Sequence, residues 1–324
     1  MSFWKERRVL VTGCTGFLGW WLTSALVERG ARVVGLVRDQ VPSSPFYLNG
    51  LADQVNVVRG TIEDYGTVER TINEYDVDTV FHLAAQAIVG VAHRNPMSTF
   101  ETNIKGTWVM LEACRRNPQV TRMVLASSDK AYGKHQTLPY SEDMAPVGDH
   151  PYDVSKSCAD LLAMTYYTTY GTPVCMSRCG NLFGPGDLNF NRIVPGAIRS
   201  MLLGEPPVIR SDGSPVRDYV FIEEIVSAFL LLAKRMDEPS IHGRAFNFGT
   251  GEPVSVLDLT QRILRLGGRE DLAPIVQNKS SGEIPQQYLS SELARGVLGW
   301  EPTKRLDESL KATIAWYESH RSVL

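Results

Sequence analysis

The chain lacks the features that staple small or metal-bound proteins. Its 324 residues hold only five cysteines and six histidines. No two cysteines form a CxxC pair and no histidine cluster joins them, so a zinc site is not expected. Cys14, Cys114, Cys158, Cys175 and Cys179 read as small apolar residues of a reducing compartment. Cys175 and Cys179 would share one side of a strand. No apolar run approaches the roughly 20 residues of a membrane span. The N-terminus runs from Met1 to Arg8 into a strand-like segment with no signal-peptide core. Charge of one sign is also missing: 33 basic residues face 36 acidic ones, a formal net charge of −3. That leaves no basic field to draw nucleic acid. The expectation is a soluble, cytoplasmic protein with no metal, membrane or nucleic-acid partner.

What is present is ordinary globular material, 43% hydrophobic and 21% charged, which argues against disorder, collagen and coiled coil. A chain of this length buries roughly three-quarters of its unfolded surface and needs no staple. In the first half, strand and helix signals alternate. Arg8 to Thr12, Ala31 to Val37, Val55 to Arg59, Asp78 to Ala85 and Arg122 to Ser127 read as strands. Phe17 to Arg29 and Thr99 to Arg115 carry helical apolar spacing, the first stopping at Gly30. Such alternation implies an α/β fold, a doubly wound parallel sheet with helices on both faces. Beyond residue 180 the chain turns irregular, with GPGD at 184–187, GEPP at 204–207 and SDGSP at 211–215. We read 1–180 as a dinucleotide-binding domain and 181–324 mainly as a smaller lobe. Segments near 210–250 would rejoin the first, and Pro173 to Ser177 and Ala245 to Gly249 are candidate sheet strands.

Residues 12–19 read TGxxGxxG between a strand and a helix, the context a dinucleotide-binding loop requires. Gly13 allows the tight turn, Gly16 lets backbone approach a pyrophosphate, and Gly19 lets the helix pack on the strand. The helix start adds free N–H donors and a positive dipole end. Gly13, Thr15, Gly16, Phe17, Leu18 and Gly19 are thus the candidate cradle. An acid ending the second strand would bind a ribose hydroxyl and signal NAD. Val37 stands there instead, followed by Arg38 and Asp39. Arg38 could hold a 2′-phosphate, and Asp39 could still reach a hydroxyl. The balance leans slightly to NADP over NAD.

Tyr152 and Lys156 form a YxxxK pair, on one face of a helix if the segment is helical. The ammonium would then lower the phenol from its usual pKa of about 10. A phenolate is a good general base for a sugar hydroxyl. Upstream, residues 127–133 (SSDKAYG) end a strand and place polar side chains at the sheet edge where such folds bind ligands.

With these pieces the sequence resembles the extended short-chain dehydrogenase/reductases that act on nucleotide sugars. The matching segments are TGCTGFLG, HLAAQ at 82–86, TNIKGT at 102–107, SSDKAYG, YDVSK at 152–156, NLFGPGD at 181–187, RDYVF at 217–221, FNFGTG at 246–251 and LGWEP at 298–302. They span nearly the whole chain in the family's order. The resemblance implies a Rossmann sheet, a smaller nucleotide-sugar lobe and a homodimer formed through the helix near Thr99 and the one carrying YxxxK. It puts Leu83, Ala84 and Ala85 along the cofactor's ribose-phosphate path, with Gln86 and Asn103 near the nicotinamide. Asn181 would lie near the sugar or pyrophosphate, and Arg192 and Arg217 on the diphosphate, where a guanidinium fork suits two oxygens. Gln86 is also a candidate substrate contact. Phe100, Trp108 and Leu111 fit a core or dimer helix better than a ligand contact.

Ser128, Asp129 and Lys130 are similar to the Thr-Asp-Lys triplet of CDP-glucose 4,6-dehydratases. In that chemistry Tyr152 takes the O4 proton, aided by Ser128, while C4 gives hydride to the nicotinamide. Lys130, if neutral, abstracts the C5 proton, and Asp129, if protonated, serves O6 as water leaves. Lys130 would need a depressed pKa, from desolvation or nearby Lys156. A 4-epimerase would need only Ser128, Tyr152 and Lys156. The dehydratase is favoured because an epimerase has no use for Asp129 and Lys130. A non-catalytic dinucleotide sensor would be expected to have lost Tyr152 or Lys156. Two departures stand out. The family often has Gly-Asp-Ile after the third strand, whereas here Gly60, Thr61 and Ile62 occur, so Ile62 would offer only its backbone N–H. Where dTDP-glucose dehydratases carry an arginine near the C-terminus, residues 282–286 read GEIPQ. That argues against a dTDP-glucose substrate and leaves the base open.

Overall fold

The computed structural model describes residues 3–279 and 284–324. Gly282 and Glu283 of the C-terminal departure therefore lie outside the described residues. Strands β1 (Arg8–Thr12), β2 (Arg32–Val37), β3 (Asn56–Arg59), β4 (Thr79–His82), β5 (Arg122–Ala126), β6 (Val174–Cys179) and β7 (Ala245–Phe248) form a seven-stranded sheet. Its order is β7-β6-β5-β4-β1-β2-β3, and every pairing is parallel. The order reverses at β1, so the connections leaving β1 and β4 diverge and open a crevice at the carboxyl edge.

The strands are buried on both faces, which explains their near-continuous apolar character. Val9 and Val11 enter one core layer and Leu10 the other, as the two-residue period of a strand demands. Helices α1 (Phe17–Glu28) and Ile222–Arg235 supply Leu22, Leu26, Val226 and Phe229 to the first layer. Helices Tyr65–Glu74, Gly106–Arg116 and Pro151–Tyr170 supply Ile72, Met110 and Ala163 to the second. Each of the larger of these side chains, when fully buried, contributes about 1.5–3 kcal/mol. Cys175 and Cys179 both enter the first layer, and all five cysteines are free. A third core lies under the smaller lobe, between helices Ile193–Leu203, Val256–Leu266 and Leu306–Ser319. The lobe is stitched on by strand Asn181–Phe183 pairing with Tyr219–Phe221. Among the described residues no helix is long and apolar enough to cross a membrane.

Candidate active site

The carboxyl edge of the sheet opens into a cavity of about 860 Å³ reaching from Arg38 and Asp39 to Asn191 and Arg210. One end is the glycine turn. Gly13 has φ +72°, and a Cβ on it would come within 2.9 Å of the Ala84 nitrogen. Gly19 packs closer still: a Cβ there would lie 1.9 Å from the Gly13 carbonyl oxygen. The turn is thus pressed between β4 and α1, and only glycine fits either place. Gly16 caps α1 without any side-chain cap, so the first amides of α1 face the cavity with their hydrogen bonds open. That donor set fits a pyrophosphate. Thr12 fastens the floor, its hydroxyl accepting the Leu83 and Ala84 N–H groups at 3.1 Å and bonding His82 Nδ1 at 2.9 Å. Burial, with the Lys156 charge second, pushes the His82 pKa down to about 3.

Thr15, Phe17, Leu18, Thr61, Ile62, Leu83, Ala84 and Ala85 all line the cavity. Gln86 and Asn103 are bonded to each other. Gln86 N–H donates to Asn103 Oδ1 at 2.7 Å, and Asn103 Nδ2 donates to the Gln86 carbonyl and to Ser155 Oγ. Ser155 in turn donates to the Tyr152 carbonyl at 2.6 Å. These bonds clasp the loop after β4 to the tyrosine helix. The lean to NADP is corrected. Arg38 Nε donates to Asp39 at 2.6 Å, which sets a carboxylate beside the guanidinium at the end of β2.

The second half of the cavity gathers Ser128, Asp129, Lys130, Tyr152 and Lys156. Ser128 ends the loop after β5 and caps the short turn Asp129–Tyr132, accepting from the Lys130 N–H at 3.2 Å. Its hydroxyl donates to the Asp129 carboxylate at 3.0 Å. Lys130 Nζ donates to Gln287 Oε1. Lys156 Nζ donates to the Ala126 carbonyl at 2.7 Å and lies 5.9 Å from the centroid of the Tyr152 ring. The expected lowering of the phenol by Lys156 does not occur in this arrangement. Burial pushes Tyr152 up to about 12, helped by Asp129, against weaker downward pulls from Arg192 and the Ser128 hydrogen bond. Burial likewise brings Lys156 down to about 8. Desolvation outweighs the pair because the ammonium is aimed at a carbonyl rather than at the phenol oxygen.

On the lobe side Asn181 and Arg192 line the cavity, Arg192 donating to Asp187 at 3.0 Å. Arg217 Nη1 donates to the Val216 and Pro285 carbonyls, at 2.8 and 3.4 Å. Arg210 reaches the cavity, bonded to Asn191 Oδ1 at 2.9 Å. Sequence reasoning missed Arg210, because neither periodicity nor motif marks it, and it missed Gln287.

A family profile described as GDP-mannose 4,6 dehydratase matches residues 10–313. The chain belongs to the NAD-dependent epimerase/dehydratase family of extended short-chain dehydrogenase/reductases. Within that family it is 29% identical to the CDP-glucose 4,6-dehydratase of Salmonella typhimurium, over 98% of this chain and 92% of that protein. Among solved structures, a UDP-glucose 4-epimerase from Thermotoga maritima superposes with a TM-score of 0.88 at 29% identity, covering 97% of this chain and 99% of the other. DesIV of Streptomyces venezuelae, a dTDP-glucose 4,6-dehydratase with NAD bound, gives 0.86 at 25% identity, covering 97% and 98%. The family places the chain among enzymes that act on nucleotide sugars as 4,6-dehydratases or 4-epimerases.

Proposed function

We propose that the protein is a nucleotide-diphosphate-hexose 4,6-dehydratase using NAD. One observation carries this reading: Asp129 and Lys130 stand in the same cavity wall as Tyr152 and Lys156. Asp129 is only 4% exposed, which argues against a solvated surface pair. A 4-epimerase cycle leaves these two groups without a task. Their use here is elimination. Tyr152 takes the O4 proton as C4 is oxidised, with Ser128 sharing a hydrogen bond to the phenol oxygen. Lys130 takes the C5 proton, made acidic by the new 4-ketone. Asp129 in its protonated form delivers a proton to O6, which leaves as water, and Lys130 returns its proton to C5. When bound, the nicotinamide would accept the hydride from C4 and, once reduced, return it to C6. Arg192, Arg210 and Asn181 are the groups that would meet the diphosphate and sugar. NAD is supported by the Asp39 carboxylate on Arg38, which suits a ribose hydroxyl and repels a phosphate, and by the NAD in DesIV.

Mass spectrometry on CDP-, UDP-, GDP- and dTDP-hexoses tests the reading. A product lighter by one water supports it. A product of unchanged mass and altered retention refutes it and establishes the 4-epimerase, the second reading, which the likeness to the Thermotoga enzyme favours. A homodimer is part of the proposal. Met97, Phe100 and Trp108, with Leu161 and Met164 on the tyrosine helix, stay exposed on the two helices the resemblance assigns to the dimer. Leu111, by contrast, is fully buried in the core.

A further inference from the structure

Glu63 follows β3, the outer strand of the sheet, and lines the cavity with Asp39, Thr61 and Thr102. Ser128 follows β5, four strands along the same sheet, so the two mark opposite reaches of one crevice. Both chain neighbours of Glu63 are anchored. Ile62 sits in the second core layer, so tightly that a Cβ on Gly106 would lie 2.4 Å from its Cδ1. Asp64 caps the helix Tyr65–Glu74, its carboxylate accepting the Gly66 N–H at 3.1 Å and the Thr67 hydroxyl at 2.6 Å. The glutamate between them is only half committed. Its Oε1 accepts the Thr102 hydroxyl at 2.7 Å. Its Oε2 is shielded from solvent and has no hydrogen-bond partner among the described residues. A shielded carboxylate oxygen without a donor is costly, and native sites supply the donor from a neighbour, a water or a ligand.

We propose that Glu63 selects the cofactor's adenine by accepting a hydrogen bond from its 6-amino group. The proposal rests on the NAD reading and is independent of the choice between dehydratase and epimerase. With the pyrophosphate at the Gly13–Gly19 turn and a ribose hydroxyl at Asp39, the base continues past the ends of β2 and β3, where Glu63 stands. The amino group is the base's one hydrogen-bonding donor, and an ionised carboxylate only accepts. The last torsion of a glutamate is broad, so a small turn presents Oε2 to the amine. Thr102 steadies the carboxylate from the other side. Asp64 is not available for this task, because both of its oxygens serve the helix cap. The acid missing at position 61, where threonine stands, is thus supplied two residues later. Its neighbours in the chain hold it in place, so selection costs little ordering on binding.

The test reads binding and involves no turnover. The full-length protein with its bound cofactor is equilibrated with an equimolar excess of NAD and nicotinamide hypoxanthine dinucleotide until the bound ratio is constant. The analogue carries a 6-oxo group in place of the amine. Bound nucleotides are then released by acid precipitation and separated by chromatography. Wild type should retain NAD over the analogue by roughly 30-fold, the scale of a hydrogen bond to a charged group. Glu63→Gln keeps an acceptor for Thr102 and gains a donor for the 6-oxo group, so its ratio should fall to within about threefold of unity. Glu63→Ala should lose the preference as well. A wild-type ratio near unity would overturn the proposal. So would a preference for NAD that Glu63→Gln and Glu63→Ala both leave unchanged. A wild type that retains neither dinucleotide would instead sink the NAD reading, and this assignment with it.

Discussion

Gly19→Ala should separate cofactor binding from folding more cleanly than any catalytic substitution. Gly19 lies in the first turn of α1 with an ordinary helical backbone, so alanine brings no conformational strain and even a better helix propensity. The cost is steric. The new methyl would sit 1.9 Å from the Gly13 oxygen and 2.7 Å from its carbonyl carbon, where real Cβ contacts essentially never fall below 3.0 Å. Backbone cannot rotate aside, so the glycine turn must retreat from α1 by about 1 Å. Overpacking of this kind costs roughly 1–3 kcal/mol of stability. The effect on NAD should be larger in proportion, because a 1 Å misplacement of a binding element can cost on the order of 10²-fold. Gly171→Ala is the control: it sits at φ +68° with nothing within 4 Å of its Cβ, so it carries strain without crowding. Thermal unfolding and the nucleotide released by acid precipitation would be measured for both. We expect Gly19→Ala to fold and to lose its NAD, and Gly171→Ala to keep it. A Gly19→Ala protein that retains stoichiometric NAD would refute the claim that Gly19 sets the phosphate turn.

Tyr152→Phe should abolish turnover on every nucleotide sugar while leaving bound cofactor in place; unchanged steady-state rates would remove Tyr152 as the base. Lys130→Ala should keep nicotinamide reduction and lose release of water, read by absorbance and by mass; equal loss of both would contradict its role at C5. Leu161→Asp, at a half-exposed position of the tyrosine helix, should convert a dimer to a monomer in light scattering, and a variant that stays dimeric would move the interface elsewhere. His82 carries a pH prediction. Its folded pKa is about 3 against an unfolded 6.5, so its contribution to stability is complete above pH 6.5. That contribution is lost as the pH falls towards 3, by about 1.4 kcal/mol per unit. Its ring, with Thr12 Oγ1 at Nδ1 and Thr107 Oγ1 3.5 Å from Nε2, should remain neutral at pH 5 by NMR, and a titration near 6.5 would show that it is not so enclosed.

The parallel sheet and the phosphate loop are legible in the sequence because each rests on local rules. Strands covered on both faces read as short apolar runs, and Gly13, Gly16 and Gly19 have a spacing that sterics alone can explain. The triplet and YxxxK are legible as residue types, but their electrostatics are not. A four-residue spacing brings Lys156 to the face of Tyr152, yet it does not say that the ammonium turns to the Ala126 carbonyl. Arg210, Arg217 and Gln287 lie in two- and three-residue strands and turns, where no period exists to sort inward from outward side chains. Nor does the spacing of Tyr152 and Lys156 show that burial, helped by Asp129, holds the phenol up at about 12, against the lowering that a neighbouring ammonium leads one to expect.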